Sequence, residues 1–236
     1  MPSLRIAKAF YSVLHPGCWR ALANGVAPAI EHSGVLRSLA VDGVLDVGAN
    51  RGQFALACRR CLPEVPIVAF EPIPDEARVF LKVHGRPKGI ELIETALGDS
   101  NGEAVLHLSR SADSSSLLPI GKEQVKLFPD TAEAGTLTVR VQRLDDLAGH
   151  WTGRTRQLLK LDVQGFELSV LKGAKLTLAS CVHVYVECSE VALYEGQALR
   201  ADVQAFLEEQ GFRLAGRFNP SLAEGCLVQA DYLFSR

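Results

Sequence analysis

Gly43-Val44-Leu45-Asp46-Val47-Gly48-Ala49-Asn50-Arg51-Gly52-Gln53-Phe54 decides the architecture of this 236-residue chain. An apolar strand runs into a turn carrying Gly48 and Gly52, a helix follows, and the next strand closes on Glu71. Such a turn lets a ligand approach the backbone, the helix N-terminus offers free amides, and a carboxylate one strand away can hold a ribose. The segment reads as a nucleotide cradle.

A dinucleotide fingerprint requires glycine at three places of G-x-G-x-x-G. Counted from Gly48, the second place holds Asn50 and the third Gln53, so the pattern is Asp46-x-Gly48-x-Asn50-x-Gly52 instead. Nothing there is shaped to clamp a pyrophosphate, and Asp46 repels phosphate while suiting an ammonium group. S-Adenosylmethionine, an adenosine with an amino-acid tail and no phosphate, fits these residues better than NAD. An NAD-dependent oxidoreductase and a non-catalytic nucleotide-binding interaction module are the alternatives.

Outward from this stretch, strands and helices alternate from residue 43 onward, which predicts a parallel sheet covered on both faces. Strands are expected over Gly43 to Val47, Pro66 to Phe70, Ile90 to Thr95, Gln157 to Asp162 and Cys181 to Glu187, with later ones at Phe212 to Arg217 and Tyr232 to Phe234. Helices are expected over Gly52 to Cys61, from Pro74, over Gly165 to Ala179, and over Arg200 to Gln210. Residues 1–40 read as a helical extension broken at Pro16-Gly17 and Pro28, and 41–236 as the main domain. In the extension, Leu4 to Leu14 forms an amphipathic helix whose Ile6, Phe10 and Val13 are expected to pack inward, a membrane surface being the alternative. Within the domain the alternation fails over about residues 100–141, where Glu103 to Leu108 and Leu137 to Val141 are extra strands around the serine-rich stretch Ser109 to Ser116. That insertion reads either as a lid or as a disordered surface loop.

The chain is 47% apolar and 22% charged, enough to bury a full core. A net charge of −2 gives no electrostatic reason to expect nucleic acid. No apolar run approaches the roughly 20 residues of a membrane span, and no signal peptide is expected; with thiols suited to a reducing compartment, the expected location is the cytoplasm. Cys58-x-x-Cys61 sits inside an expected helix without a second pair, so the six cysteines read as buried structural thiols rather than a metal or disulfide site.

Ligands in open α/β sheets bind beyond the carboxyl ends of the strands. Four expected strands end at or near an acid: Asp46, Glu71, Asp162 and Glu187. Polar residues ending in carboxylates at that edge stand out against the continuous apolar runs of strands buried on both faces. Each has a structural reading too. Asp162 can cap the following helix with Glu167, Glu187 can pair with Lys160, His183 reads as a core histidine, and His107 as an exposed hairpin residue.

With these pieces in view, the chain resembles the FkbM family of S-adenosylmethionine-dependent methyltransferases. The matching residues are Asp46-Val-Gly-Ala-Asn50-Arg-Gly-Gln53, Phe70-Glu71-Pro72, Ala96-Leu97-Gly98-Asp99, Ser114-Ser115-Ser116-Leu117 and Arg143-Leu144-Asp145. The most specific is Leu159-Lys160-Leu161-Asp162-Val163-Gln164-Gly165-Phe166-Glu167, in which Gln164 stands where the family often has glutamate. The resemblance implies a class I, Rossmann-like three-layer methyltransferase fold, with a mostly parallel seven-stranded sheet and an antiparallel terminal strand. It implies O-methylation of a sugar, glycan or natural-product hydroxyl. It also implies that Asp46, Gly48, Asn50 and Gly52 surround the methionine end, Glu71 the ribose, and Ala96 and Leu97 the adenine.

Asp162 is then expected nearest the reacting centre, as base or acceptor anchor, with Glu187 orienting the acceptor. The same two carboxylates can alternatively hold Mg²⁺.

Overall fold

In the computed structural model, which describes residues 4–15, 18–85 and 89–236, β1 (Gly43–Val47) lies inside a seven-stranded sheet. Its parallel neighbours are β2 (Ile67–Phe70) and β7 (Gln157–Leu161). β3 (Ile90–Ile93) extends the sheet beyond β2, and β8 (Cys181–Ser189) beyond β7, both parallel. β10 (Cys226–Ser235) runs antiparallel between β8 and β9 (Arg213–Ala223), giving the order β3-β2-β1-β7-β8-β10-β9. This is the class I arrangement with its reversed final hairpin.

Apolar side chains on the two faces make two cores. On one face Leu45, Val47, Leu159, Leu161, Val184 and Val186 meet Val170 and Leu171 of α7 (Glu167–Lys172), Leu178 of α8 (Lys175–Leu178) and Val203 and Leu207 of α9 (Arg200–Glu209). On the other, Val44, Ile67 and Leu158 meet Leu36 of α3 (Ser33–Ser38), Phe54 and Ala55 of α4 (Gln53–Cys61) and Phe80 of α5 (Pro74–His84).

Several expected boundaries move for identifiable reasons. The helix expected over Gly165 to Ala179 splits at Gly173, where the Gly98 backbone comes so close that a Cβ would stand 1.9 Å from its carbonyl oxygen. The third strand stops at Ile93, because the next residues leave for a second sheet. There β4 (Ala96–Leu97) pairs in parallel with β6 (Glu133–Gln142), which pairs antiparallel with β5 (Gly102–Ser109). The insertion is thus an ordered three-stranded sheet, with α6 (Lys122–Leu127) in its crossover. The final hairpin is longer than expected, since Asn219 and Pro220 interrupt its apolar pattern; Glu224 (φ 52°) and Gly225 (φ 81°) form its tight turn.

The N-terminal extension corrects a reading. α1 (Leu4–Leu14) forms, but Ile6, Phe10 and Val13 face outward at 51%, 68% and 59% exposure, while Ser12 is wholly buried and Lys8 pairs with Glu31 at 2.6 Å. The expected break at Pro16-Gly17 lies outside the described residues. α2 (Trp19–Leu22) follows, against α5. All six cysteines are free, but Cys226 is exposed and Cys61 half-buried, so only four are buried as expected.

Candidate active site

Three left-handed residues, Gly48 (φ 73°), Asn50 (φ 48°) and Gly52 (φ 88°), bend the turn after β1. Gly48 is required twice over, since a Cβ there would also lie 1.9 Å from the Asp162 carbonyl oxygen. Glu71, at the end of β2, accepts the Asn50 amide on Oε2 and the Ile73 amide on Oε1, each at 2.8 Å. Burial is the main cause that raises its pKa to about 7, against the pull of those two amides.

Beneath the turn lies Lys160, buried in β7. Its Nζ is 3.1 Å from Asp46 Oδ1, donates to the Gly48 and Val47 carbonyls at 3.0 and 3.3 Å, and stands 3.9 Å from Asp162 Oδ2. Burial disfavours the ammonium, but Asp46 and then Asp162 outweigh it and hold its pKa above the usual value. Asp46 itself is raised by burial, with Lys160 opposing. The pair is explained by sheet register: Asp46 sits beside Lys160 across β1 and β7.

A cleft opens above these strands, walled by five of the seven residues expected at the cofactor, Gly48, Asn50, Glu71, Ala96 and Leu97, and by Asp162, expected as catalytic. Phe70, Ile73, Leu106 and Phe166 supply apolar wall. Two expected cofactor residues do not line it. Asp46 is fully buried below, because a carboxylate inside the sheet needs the counter-charge that Lys160 provides. Gly52 starts α4 behind the wall, where a Cβ would meet His84 Nε2 at 2.2 Å.

A second cleft shares Asp113, Asp162 and Gln164 with the first and adds Ser111, Glu187 and Gln229. Asp162 thus stands where the two spaces meet, and Glu187 lines only the second. Asp162 does not cap the next helix; Glu167 Oε1 alone accepts the Val163 and Gly165 amides, both at 3.1 Å. Nor does Glu187 pair with Lys160.

Gln164 ties this edge together. Its Nε2 donates to Asp162 Oδ1 and Glu187 Oε2, both at 2.8 Å, and Gln229 Nε2 donates to Glu187 Oε1 at 3.1 Å. The Tyr194 hydroxyl lies 2.9 Å from both Gln164 Oε1 and the Ser114 carbonyl, and Ser116 Oγ donates to the Gln164 carbonyl at 2.7 Å. Gln164 holds φ at 54°, a left-handed conformation uncommon outside glycine. Burial first, then Asp162 and Asp231, push Glu187 well above the usual carboxylate range.

The residues do not fit Mg²⁺. Among the described residues no group of three or more His, Cys, Asp or Glu side chains is arranged to hold a metal ion, and the Gln164 amide already occupies the facing oxygens of Asp162 and Glu187. The serine-rich stretch is ordered by its own hydroxyls: Ser115 Oγ accepts the Ser109 amide at 3.1 Å, and Ser109 Oγ the Ser111 amide at 3.2 Å. It walls both clefts. His183 bonds Ser235 Oγ at 2.7 Å, and His107 pairs with Glu133 at 2.9 Å on the β5–β6 hairpin.

Sequence reasoning passed over Asp113, Tyr194 and Gln229 and gave Gln164 no role. Gln164 carried a signal, an amide beside Asp162 and before a glycine; the other three lie far apart in the chain.

A family model, the methyltransferase FkbM domain, matches residues 46–214. The 2-O-methyltransferase NoeI of Sinorhizobium fredii is 31% identical over 65% of this chain, which spans 66% of that protein's length, just under two thirds. The methyltransferase sdnD of Sordaria araneosa is 30% identical over 72% of this chain and 73% of its own length. Among solved structures, Aeropyrum pernix fibrillarin superposes with a TM-score of 0.48 at 10% identity, covering 86% of this chain and 72% of that one.

Proposed function

The chain belongs to the FkbM methyltransferase family, and on that footing we propose that it transfers a methyl group from S-adenosylmethionine to a hydroxyl of a sugar, glycan or natural-product intermediate. The observation that carries this reading is the charge of the first cleft. Among the described residues no Lys or Arg lines it, while Glu71, Asp113 and Asp162 do. A pyrophosphate would meet three carboxylates and no cation there, which argues against NAD; a phosphate-free, positively charged adenosine derivative meets complementary charge.

S-Adenosylmethionine supplies a methyl group already activated on a sulfonium. The protein's task is chiefly placement, which can contribute roughly 7–11 kcal/mol. Glu71 accepts hydrogen bonds from the ribose hydroxyls, Ala96 and Leu97 border the adenine, and Gly48 and Asn50 border the amino-acid tail. Asp162, between the clefts, would take the proton of the acceptor hydroxyl as the hydroxyl oxygen bonds to the methyl carbon and the sulfur–methyl bond breaks, leaving neutral S-adenosylhomocysteine. Glu187, kept protonated by its surroundings, donates to a neighbouring acceptor oxygen and orients it.

The test is methyl-tritiated S-adenosylmethionine incubated with the full chain and a panel of glycosides and polyketides. Label retained through mild alkali marks a methyl ether, as proposed. Label released as methanol marks an ester on a carboxylate and contradicts hydroxyl transfer.

A further inference from the structure

A helix resting on a domain normally buries its apolar stripe and exposes its polar one. α1 does the reverse. Ser12 and the Lys8–Glu31 ion pair face the body, while Ile6, Phe10, Val13 and Leu14 point outward, Leu14 at 71% exposure. α2 continues the same character with Trp19 58% and Leu22 42% exposed. Charge follows suit. None of the chain's 27 acidic residues falls in the first thirty; of the basic ones there, Lys8 is paired inward with Glu31, and Arg20 is exposed beside the apolar residues of α2. Arg20 Nε donates to the Lys82 carbonyl at 2.6 Å, and the Arg60 guanidinium lies 5.0 Å from the centre of the Tyr11 ring, so one more basic side chain flanks the region.

We propose that the α1–α2 face docks on an anionic phospholipid bilayer, with the apolar stripe sunk into the headgroup region. An outward stripe of Ile, Phe, Val, Leu and Trp beside basic residues has the composition of a helix lying in the membrane plane. Negative lipid headgroups complement its charge. A second copy of the chain does not, since a two-fold contact through this face would set the basic residues against their own images. No helix among the described residues is long and apolar enough to cross a membrane, so the contact is peripheral. On the inner side of α1, Lys8 lines a groove with Asn50, Ala112 and Asp113, which also wall the first cleft. Docking therefore sets the site about one helix diameter, roughly 10 Å, from the lipid.

The experiment is sedimentation of the full chain with vesicles of phosphatidylcholine alone and of phosphatidylcholine with one quarter phosphatidylglycerol, at low salt. The chain is expected to pellet with the anionic vesicles and to remain largely soluble with the neutral ones. Phe10→Asp with Leu14→Asp, in a variant whose circular dichroism and Tm match the parent, is expected to lower the partition by roughly tenfold or more. A chain left in the supernatant with anionic vesicles, or a variant that pellets as well as the parent, overturns the proposal. A dimer in light scattering that this double variant dissociates also overturns it, assigning the face to a second copy.

Discussion

Gln164→Glu tests the wiring of the catalytic edge. The amide nitrogen donates at 2.8 Å to Asp162 and at 2.8 Å to Glu187, and the substitution keeps shape while replacing that donor with an acceptor. Two hydrogen bonds to carboxyl groups are lost, each about 1.5–3 kcal/mol. Ionised, the introduced carboxyl would stand at that same distance from Asp162, a charge contact that costs about 6 kcal/mol at an effective dielectric near 20, while protonated Glu187 adds no such charge. The cluster escapes by holding a proton, at about 1.36 kcal/mol for each pH unit by which the pKa is raised. The folded variant therefore binds a proton that the unfolded chain has released, and its stability falls as the pH rises from about 4.5 through the raised value. Urea unfolding at pH 5 and pH 8 reads this without any acceptor. The variant is expected to lose roughly 3 kcal/mol or more against the parent at pH 5, and further stability at pH 8. A deficit that is the same at both pH values would refute the shared-amide arrangement.

Asp162→Asn is expected to keep S-adenosylmethionine affinity within a few fold while lowering transfer by about 10²–10⁴, read by paired calorimetry and label transfer. Gly48→Ala forces a Cβ to 1.9 Å from the Asp162 carbonyl in a left-handed turn and should unfold or strongly destabilise the chain, by about 3 kcal/mol or more in a denaturant titration. Glu71, with a pKa raised to about 7, binds ribose hydroxyls best when ionised, so the dissociation constant for S-adenosylmethionine should rise as the pH falls from 8 to 6, and less so in Glu71→Gln. The same shift from 4.5 means that this carboxyl's contribution to stability is full below pH 4.5 and is lost as the pH rises through about 7.

The strand ends that place the site were readable because buried parallel strands tolerate few polar residues. Asp46, Glu71, Asp162 and Glu187 stood out against Val, Leu and Ile for that reason. Which way each carboxylate serves was not readable. Asp46 and Lys160 lie over a hundred positions apart, and only the β1–β7 register makes them partners. Gln164, standing where the family often has glutamate, has its role only through the two bonds that its amide donates in the folded chain. The outward stripe of α1 was hidden for another cause, since helical period shows that a stripe exists but not which way the helix is rolled. The split at Gly173 depends on Gly98, which arrives from a different sheet.

The central claim is that the cleft after β1 takes a phosphate-free adenosine cation and not a pyridine dinucleotide. Isothermal titration of the full chain with S-adenosylmethionine, S-adenosylhomocysteine and NAD measures it directly. Saturable heat with the first two and none with NAD is the predicted result. Heat with NAD alone would contradict the account.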